Sequence, residues 1–220
     1  MVTRIYIVRH CEALGNLSGT FQGSTDCGIS ERGELQLKLL KSRFAEIPLD
    51  IAYSSPLKRA RLTAEAAVGG REIEIITENR LTEIDGGKME GAPWDKLTEL
   101  FPKEAEQWYF RFSEFKAPDG ESVSDVYNRA GEAFIDIANK NKGRTVGIFA
   151  HGCAIRTILC RLKGYPVSGI DNVGWTDNTG VNLVEMDEKG EFSVIFENDI
   201  SHLKDTPEAL PYIPFDKDSK

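Results

Sequence analysis

Ile5-Tyr6-Ile7-Val8 is a short apolar run that stops abruptly at Arg9-His10. Such an unbroken run predicts a strand buried on both faces, as in a parallel sheet. Arg9 and His10 then stand at its carboxyl end, where open α/β sheets bind ligands. The same construction recurs downstream, where Thr145–Ala150 reads as a strand and His151-Gly152 follows it. A lone histidine at a strand end is more often a packing residue. Two at equivalent ends point to one shared site. His202 lacks this context and is read as structural.

Around these two strands, short apolar runs alternate with amphipathic stretches, which predicts an α/β layered domain. Cys11 to Gly28 is a polar stretch rich in Gly, Ser, Thr and Asn. A loop of that length directly after a buried strand is expected to carry function. A helix begins near Glu31, with Leu35, Leu39, Leu40 and Phe44 as its apolar stripe, and Pro48 ends it. Ile51–Tyr53 reads as the second strand. Ser55 then reads as an N-cap, with Pro56 opening a helix that stops at Gly69-Gly70. Ile73–Thr77 is the third strand. Residues from about 80 to 120, punctuated by Pro93, Pro102 and Pro118, read as a helical insertion over one end of the sheet. Ser122 and Asp125 resemble a capping box ahead of a helix with Val123, Val126, Tyr127, Ala130, Phe134 and Ile137 on one face. A further helix runs from about Cys153 to Leu162. Val181–Met186 and Phe192–Phe196 read as a strand pair turning at Lys189-Gly190. Residues 201–220 read as a polar surface tail of a single domain.

The chain has 220 residues, 40% of them apolar and 28% charged, a balance that does not indicate disorder. Its net charge of −8 argues against nucleic acid and anionic membranes as partners. Ile5–Val8 is too short for a signal-peptide core or a membrane span. Cys11, Cys27, Cys153 and Cys160 form no CxxC pair and no zinc-type spacing with the histidines, so reduced thiols and a cytoplasmic location are expected. No metal and no cofactor is implied. An acidic chain that handles an anion must gather its few cations in one place. Arg9 precedes His10, and Arg59 falls in the first turn of the helix after Ser55-Pro56, where free backbone N–H groups also favour anions. A guanidinium binds two phosphate oxygens at once.

These residues resemble a family. Arg9-His10-Cys11-Glu12, with Asn16 after it, is similar to the RHG signature of the histidine phosphatase superfamily, branch 1, which includes the phosphoglycerate mutases. Phe21-Gln22-Gly23 with Asp26, and Ile29-Ser30-Glu31-Arg32-Gly33, resemble the next blocks. Ser54-Ser55-Pro56-Leu57-Lys58-Arg59-Ala60 with Thr63-Ala64 resembles the block of the second arginine. Leu81-Thr82-Glu83-Ile84-Asp85, with Gly87 and Glu90-Gly91, resembles that of the acid. Asp119-Gly120-Glu121-Ser122, His151-Gly152 and Asn178-Thr179-Gly180 complete the order over most of the chain.

The resemblance implies a three-layer α/β/α sandwich with a mostly parallel central sheet and the helical insertion over its active-site end. It also implies a phosphomonoesterase. His10 attacks phosphorus and becomes a phosphohistidine, replacing one hard step with two easier ones. Arg9, Arg59 and His151 hold the phosphoryl oxygens, and no Mg²⁺ is needed when side chains supply the charge. Asn16 and Gln22, with backbone N–H groups near Gly23 and Gly152, complete the cradle. Glu83 is the general acid and then activates water. Asp85, two residues on, is its rival.

Cys11 stands where the family usually has glycine, and beside cations it is expected to have thiolate character and sensitivity to oxidation. Leu62 stands where the family often has glutamine. A cysteine-based phosphatase is disfavoured, because the arginine expected six positions after the nucleophile is Leu17 or Leu159. The expected activity is hydrolysis of a small organic phosphomonoester by a monomer or homodimer. The alternatives are a cofactor-dependent phosphoglycerate mutase, whose insertion before the second histidine is usually longer, and a catalytically silent binding protein. Aromatic residues between Gly86 and Pro118 are expected to build a helical core or to wall the pocket for a carbon-rich phosphate.

Overall fold

The computed structural model describes residues 1–211. Among them, β1 (Thr3–Arg9), β2 (Ile51–Ser54), β3 (Ile75–Thr77), β4 (Thr145–Ala150), β5 (Val181–Met186) and β6 (Phe192–Asp199) form one sheet. Its order is β3-β2-β4-β1-β5-β6. The first four in that order are parallel, while β5 pairs antiparallel with β1 and β6 antiparallel with β5. The helices are α1 (Leu14–Leu17), α2 (Glu31–Phe44), α3 (Lys58–Val68), α4 (Leu97–Leu100), α5 (Pro102–Phe110), α6 (Val123–Lys140) and α7 (Gly152–Leu162).

Strand period two sorts the core into two layers. Ile5 and Ile7 of β1, with Val146 and Ile148 of β4, pack against Val126, Phe134 and Ile137 of α6 and Ile155 and Ile158 of α7. Val8 and Phe149 face the other way, onto Leu40 and Phe44 of α2 and Ala64 and Val68 of α3. The result is a three-layer α/β/α sandwich around a mixed, mostly parallel sheet. Ser122 and Asp125 form the capping box that opens α6.

Register fixes where the histidines emerge. β1 and β4 are adjacent, with Arg9 opposite Ala150. The His10 N–H donates to the Ala150 carbonyl at 3.0 Å, so His10 and His151 leave neighbouring strand ends together. The loop after β1 and the insertion are stitched to each other: Phe21 N–H donates to Ala92 O at 2.8 Å, and Trp94 N–H to Gly19 O at 2.9 Å.

The structure corrects three local expectations. Helix α3 begins at Lys58 with Leu57 at the N-cap, not at Ser55-Pro56. Its first-turn donor is satisfied from a distance, by both carboxylate oxygens of Asp26 on Lys58 N–H at 3.1 Å. The third strand is shorter, Ile75–Thr77. Residues 201–210 are not a free surface tail. Leu203 and Ala209 are buried, and Gln36 of α2 donates to Ala209 O at 3.0 Å. The rest of that expected tail, 212–220, lies outside the described residues.

Candidate active site

His10 is only 3% exposed, and its chemistry is set by one contact. Its Nδ1 lies 2.6 Å from the Cys11 carbonyl oxygen. A carbonyl can only accept, so Nδ1 carries the proton and Nε2 is left with its lone pair. The main chain at His10 is clamped as well. Asn178 Nδ2 donates to the His10 carbonyl at 3.0 Å, and Thr179 N–H to the Arg9 carbonyl at 3.1 Å. Thr179 makes this bond from a left-handed backbone conformation with φ 55°, which a β-branched residue seldom adopts. Burial, then the Arg59 and Arg9 guanidinium groups, hold the His10 pKa well below the usual histidine value, so the ring is neutral.

The His151 ring centroid lies 5.0 Å from that of His10. Its Nε2 is 2.8 Å from Ser55 Oγ, while its Nδ1 is buried without a protein partner. Burial, then Arg59, His10 and Arg9, push its pKa well below the ordinary range too. Arg9 donates through Nη1 to Thr176 O at 2.7 Å. Arg59 donates through Nη1 to Thr25 O at 2.8 Å and through Nη2 to Gly23 O at 2.7 Å. The Nε of each arginine is buried with no protein partner. Buried donors without partners are rare in folded proteins. Arg9 Nε and Arg59 Nε are two such donors, and burial disfavours both guanidinium groups as cations, an arrangement that a bound anion would relieve.

Glu83 accepts from Ile84 N–H at 2.9 Å and from Cys153 N–H, in the first turn of α7, at 3.1 Å. Arg129 of α6 anchors the loop beneath it, donating to the carbonyls of Arg80, Thr82 and Glu83 at 2.8, 2.7 and 3.1 Å. A cleft of about 100 Å³ is lined by Arg9, Asn16, Gln22, Glu83 and Gly152 among others. His10, His151 and Arg59 are buried. Asn16 accepts from Ala13 N–H at 3.0 Å, and Gln22 donates to Cys27 Sγ at 2.7 Å. Gly23 offers its carbonyl to Arg59, while its N–H donates to Glu90 at 3.2 Å. A Cβ on Gly152 would lie 3.4 Å from the Trp175 ring and 3.6 Å from the Arg9 guanidinium carbon. Asp85, the rival acid, instead accepts from Gly87 N–H at 2.9 Å and does not line the cleft.

Cys11 is not a thiolate. Its side chain is buried, and burial pushes its pKa up to about 12, overriding the Arg59 charge. Its N–H donates to Thr63 Oγ1 at 3.0 Å. Cys11, Cys27, Cys153 and Cys160 are all free thiols. Sequence reasoning missed Trp175, which lines the cleft, Ser55 as the partner of His151, and Glu90 as an anchor. Trp175 had a legible signal, an aromatic side chain in the short loop before Asn178-Thr179-Gly180. A larger hollow of about 700 Å³ beside α1, lined by Leu14, Leu17 and Leu35, contains none of these groups.

Residues 5–199 match the family model described as histidine phosphatase superfamily (branch 1). The chain belongs to this family. It is 32% identical over 188 residues to phosphoserine phosphatase 1 of Hydrogenobacter thermophilus, covering 86% of this chain and 89% of that one. It is 29% identical over 191 residues to the 2,3-bisphosphoglycerate-dependent phosphoglycerate mutase of Brucella anthropi, covering 84% and 92%. The solved structure of Bacillus stearothermophilus YhfR superimposes with a TM-score of 0.86 at 32% identity, covering 92% of this chain and 100% of that one. This histidine phosphatase family enzyme thus has relatives of about its own length that are named for hydrolysis and for mutase activity. Among its described residues, no helix is long and apolar enough to cross a membrane. None of its described His, Cys, Asp and Glu side chains gather in threes or more in a way that could hold a metal ion.

Proposed function

We propose that this enzyme hydrolyses a small organic phosphomonoester, without a metal ion, through a phosphohistidine at Nε2 of His10. The carrying observation is the 2.6 Å contact of His10 Nδ1 with the Cys11 carbonyl, which leaves the other nitrogen nucleophilic in a neutral, buried ring. The Nε2 lone pair forms the P–N bond as the P–O bond to the leaving alcohol breaks. Glu83 delivers its carboxyl proton to the departing oxygen. The resulting carboxylate takes a proton from water, whose oxygen attacks phosphorus. The P–N bond then breaks, returning its electron pair to Nε2 and releasing inorganic phosphate. Arg9, Arg59 and His151 hold the three oxygens that carry the charge of the transition state. The phosphate dianion raises the pKa of His151 from its depressed value, so that ring donates to phosphate once substrate is bound. Asn16, Gln22 and the backbone at Gly23 and Gly152 steady the cradle.

Hydrolysis is favoured over mutase action by the 32% identity to a phosphoserine phosphatase. The test is a panel of phosphomonoesters assayed in chelator, with His10→Ala alongside. Phosphate release with a base-stable, acid-labile label on His10 is expected. The His10→Ala variant should lose that label and on the order of 10⁴ or more in kcat. A label on another residue, or interconversion of phosphoglycerates much faster than phosphate release, overturns the reading.

A further inference from the structure

His202 does not line the cleft, yet its ring reaches the segment that clamps the nucleophile. It sits in the short turn Ser201–Leu203 that follows β6. Nη1 of Arg43, on α2, lies 3.3 Å from its Nδ1. A guanidinium can only donate, so Nδ1 is the acceptor and Nε2 carries the proton. Nε2 therefore donates to Thr179 Oγ1 at 3.2 Å, and that hydroxyl donates on to the Asn178 carbonyl at 2.8 Å. The donors point one way along the whole row, from Arg43 through His202 to Thr179. Arg43 is itself anchored, donating to Asp199 Oδ2 at 2.7 Å and to the Asp199 carbonyl at 3.0 Å. Arg43 and Asp199 are the charged groups that face the ring. Burial, then Arg43, lower its pKa to about 4 against the opposing pull of Asp199, so the ring is neutral near pH 7.

Thr179 is fully buried and left-handed, with φ 55°. That conformation is costly for a β-branched residue and persists only where the surroundings over-determine it. From it the Thr179 N–H meets two carbonyls, Arg9 at 3.1 Å and His10 at 3.3 Å. A relaxed Thr179 would turn this N–H away and release both. The Asn178 amide holds the His10 carbonyl in parallel, and the Asn178 carbonyl receives the Thr179 hydroxyl, so both clamps belong to the row that His202 feeds. The backbone they fix carries the His10 ring and leads into the Cys11 carbonyl that sets its tautomer. Arg59 and His151 enter the site from other elements, so phosphate binding does not depend on this row alone.

We infer that His202 is a positioning residue for the phosphoryl transfer: it holds Thr179 in the conformation that fixes the Arg9–His10 backbone, and with it the direction of the His10 Nε2 lone pair. This rests on the phosphohistidine reading above. The experiment measures kcat and KM for p-nitrophenyl phosphate, with phosphohistidine formation followed alongside. His202→Leu keeps much of the bulk but offers no donor, and its kcat should fall about tenfold while KM stays within about threefold, because a small misplacement of the attacking atom slows chemistry more than binding. His202→Gln, which can donate to Thr179 and accept from Arg43, should recover most of that loss. Thr179→Val removes the same bond from its acceptor end and should add little to His202→Leu in the double variant. Should His202→Leu fail to fold, Thr179→Val alone carries the test with the same expected loss. An unchanged kcat in the variant, with phosphohistidine still forming, overturns the inference and leaves the hydrolase standing. A His202→Gln enzyme as slow as His202→Leu, or effects that multiply in full in the double variant, overturns the hydrogen bond as the cause. A parent enzyme that forms no phosphohistidine overturns both readings.

Discussion

Glu90 shows how much of the candidate site is held by a residue that does not line the cleft. One oxygen accepts from Ser24 N–H and Gly86 N–H, both at 2.9 Å. The other accepts from Gly23 N–H, Thr25 N–H and Thr25 Oγ1 at 3.2, 3.3 and 2.6 Å. The carbonyls of Gly23 and Thr25 are the acceptors that aim Arg59. Replacing Glu90 by Gln keeps the shape but points an NH₂ group at N–H donors. The expected cost is about 1–3 kcal/mol of stability with about a tenfold loss of kcat/KM, read by thermal melting and steady-state kinetics. Unchanged kinetics would mean that Arg59 is aimed without this loop. A second residue-scale test concerns the thiols. Cys27 is half-buried while Cys11, Cys153 and Cys160 are buried. Iodoacetamide on the native enzyme at neutral pH should label Cys27 and spare Cys11, as read by peptide mass spectrometry. At this scale the sequence exposed the candidate groups that the fold brings together, because His10, Arg9, Arg59, His151 and Glu83 sit in recognisable blocks. It hid the desolvation of Cys11, since burial of a thiol depends on the packing around Thr63, which no neighbouring residue in the chain encodes.

The elements were legible wherever their pattern was local. The apolar runs of β1 and β4 and the capping box of α6 lie within a few residues of each other. Helix α3 was not, because its cap comes from Asp26 in a loop more than a strand away. That leaves Ser55 Oγ to bind His151 instead of serving as the cap. The helix carrying Arg59 is thus coupled to the loop after β1. Asp26→Ala removes the acceptor for the Lys58 N–H and a carboxylate near the positive end of the helix dipole. A loss of about 1 kcal/mol is expected, or roughly 2–4 °C in Tm for a chain of this size. Arg59→Lys keeps the charge but cannot hold both loop carbonyls in a planar fork, so its kcat should fall further than its Tm. A variant at Asp26 as stable as the parent would show that water serves the helix end equally well.

At the scale of the whole molecule, two electrostatic effects oppose each other as pH falls. Acid titrates the net charge of −8 toward zero, which relieves self-repulsion and favours the compact state. The three histidines act the other way. Burial first, then nearby guanidinium groups, hold His10 and His151 well below the ordinary value and bring His202, beside Arg43, to about 4. In the unfolded chain each titrates near 6.5. Between about pH 6.5 and 4 the unfolded state therefore binds more protons than the folded one. The stability these groups contribute is present above about 6.5 and is lost as pH falls through that window. Two buried histidines held neutral together outweigh diffuse repulsion among screened surface charges, so they set the sign. Melting temperature should accordingly decline from pH 7 to pH 5 even as the molecule approaches neutrality. Inorganic phosphate should flatten the decline, because an anion between Arg9, Arg59 and His151 lets His151 take up a proton inside the fold. A Tm that rises on acidification without phosphate would mean that relief of self-repulsion outweighs the histidines, and would overturn this prediction.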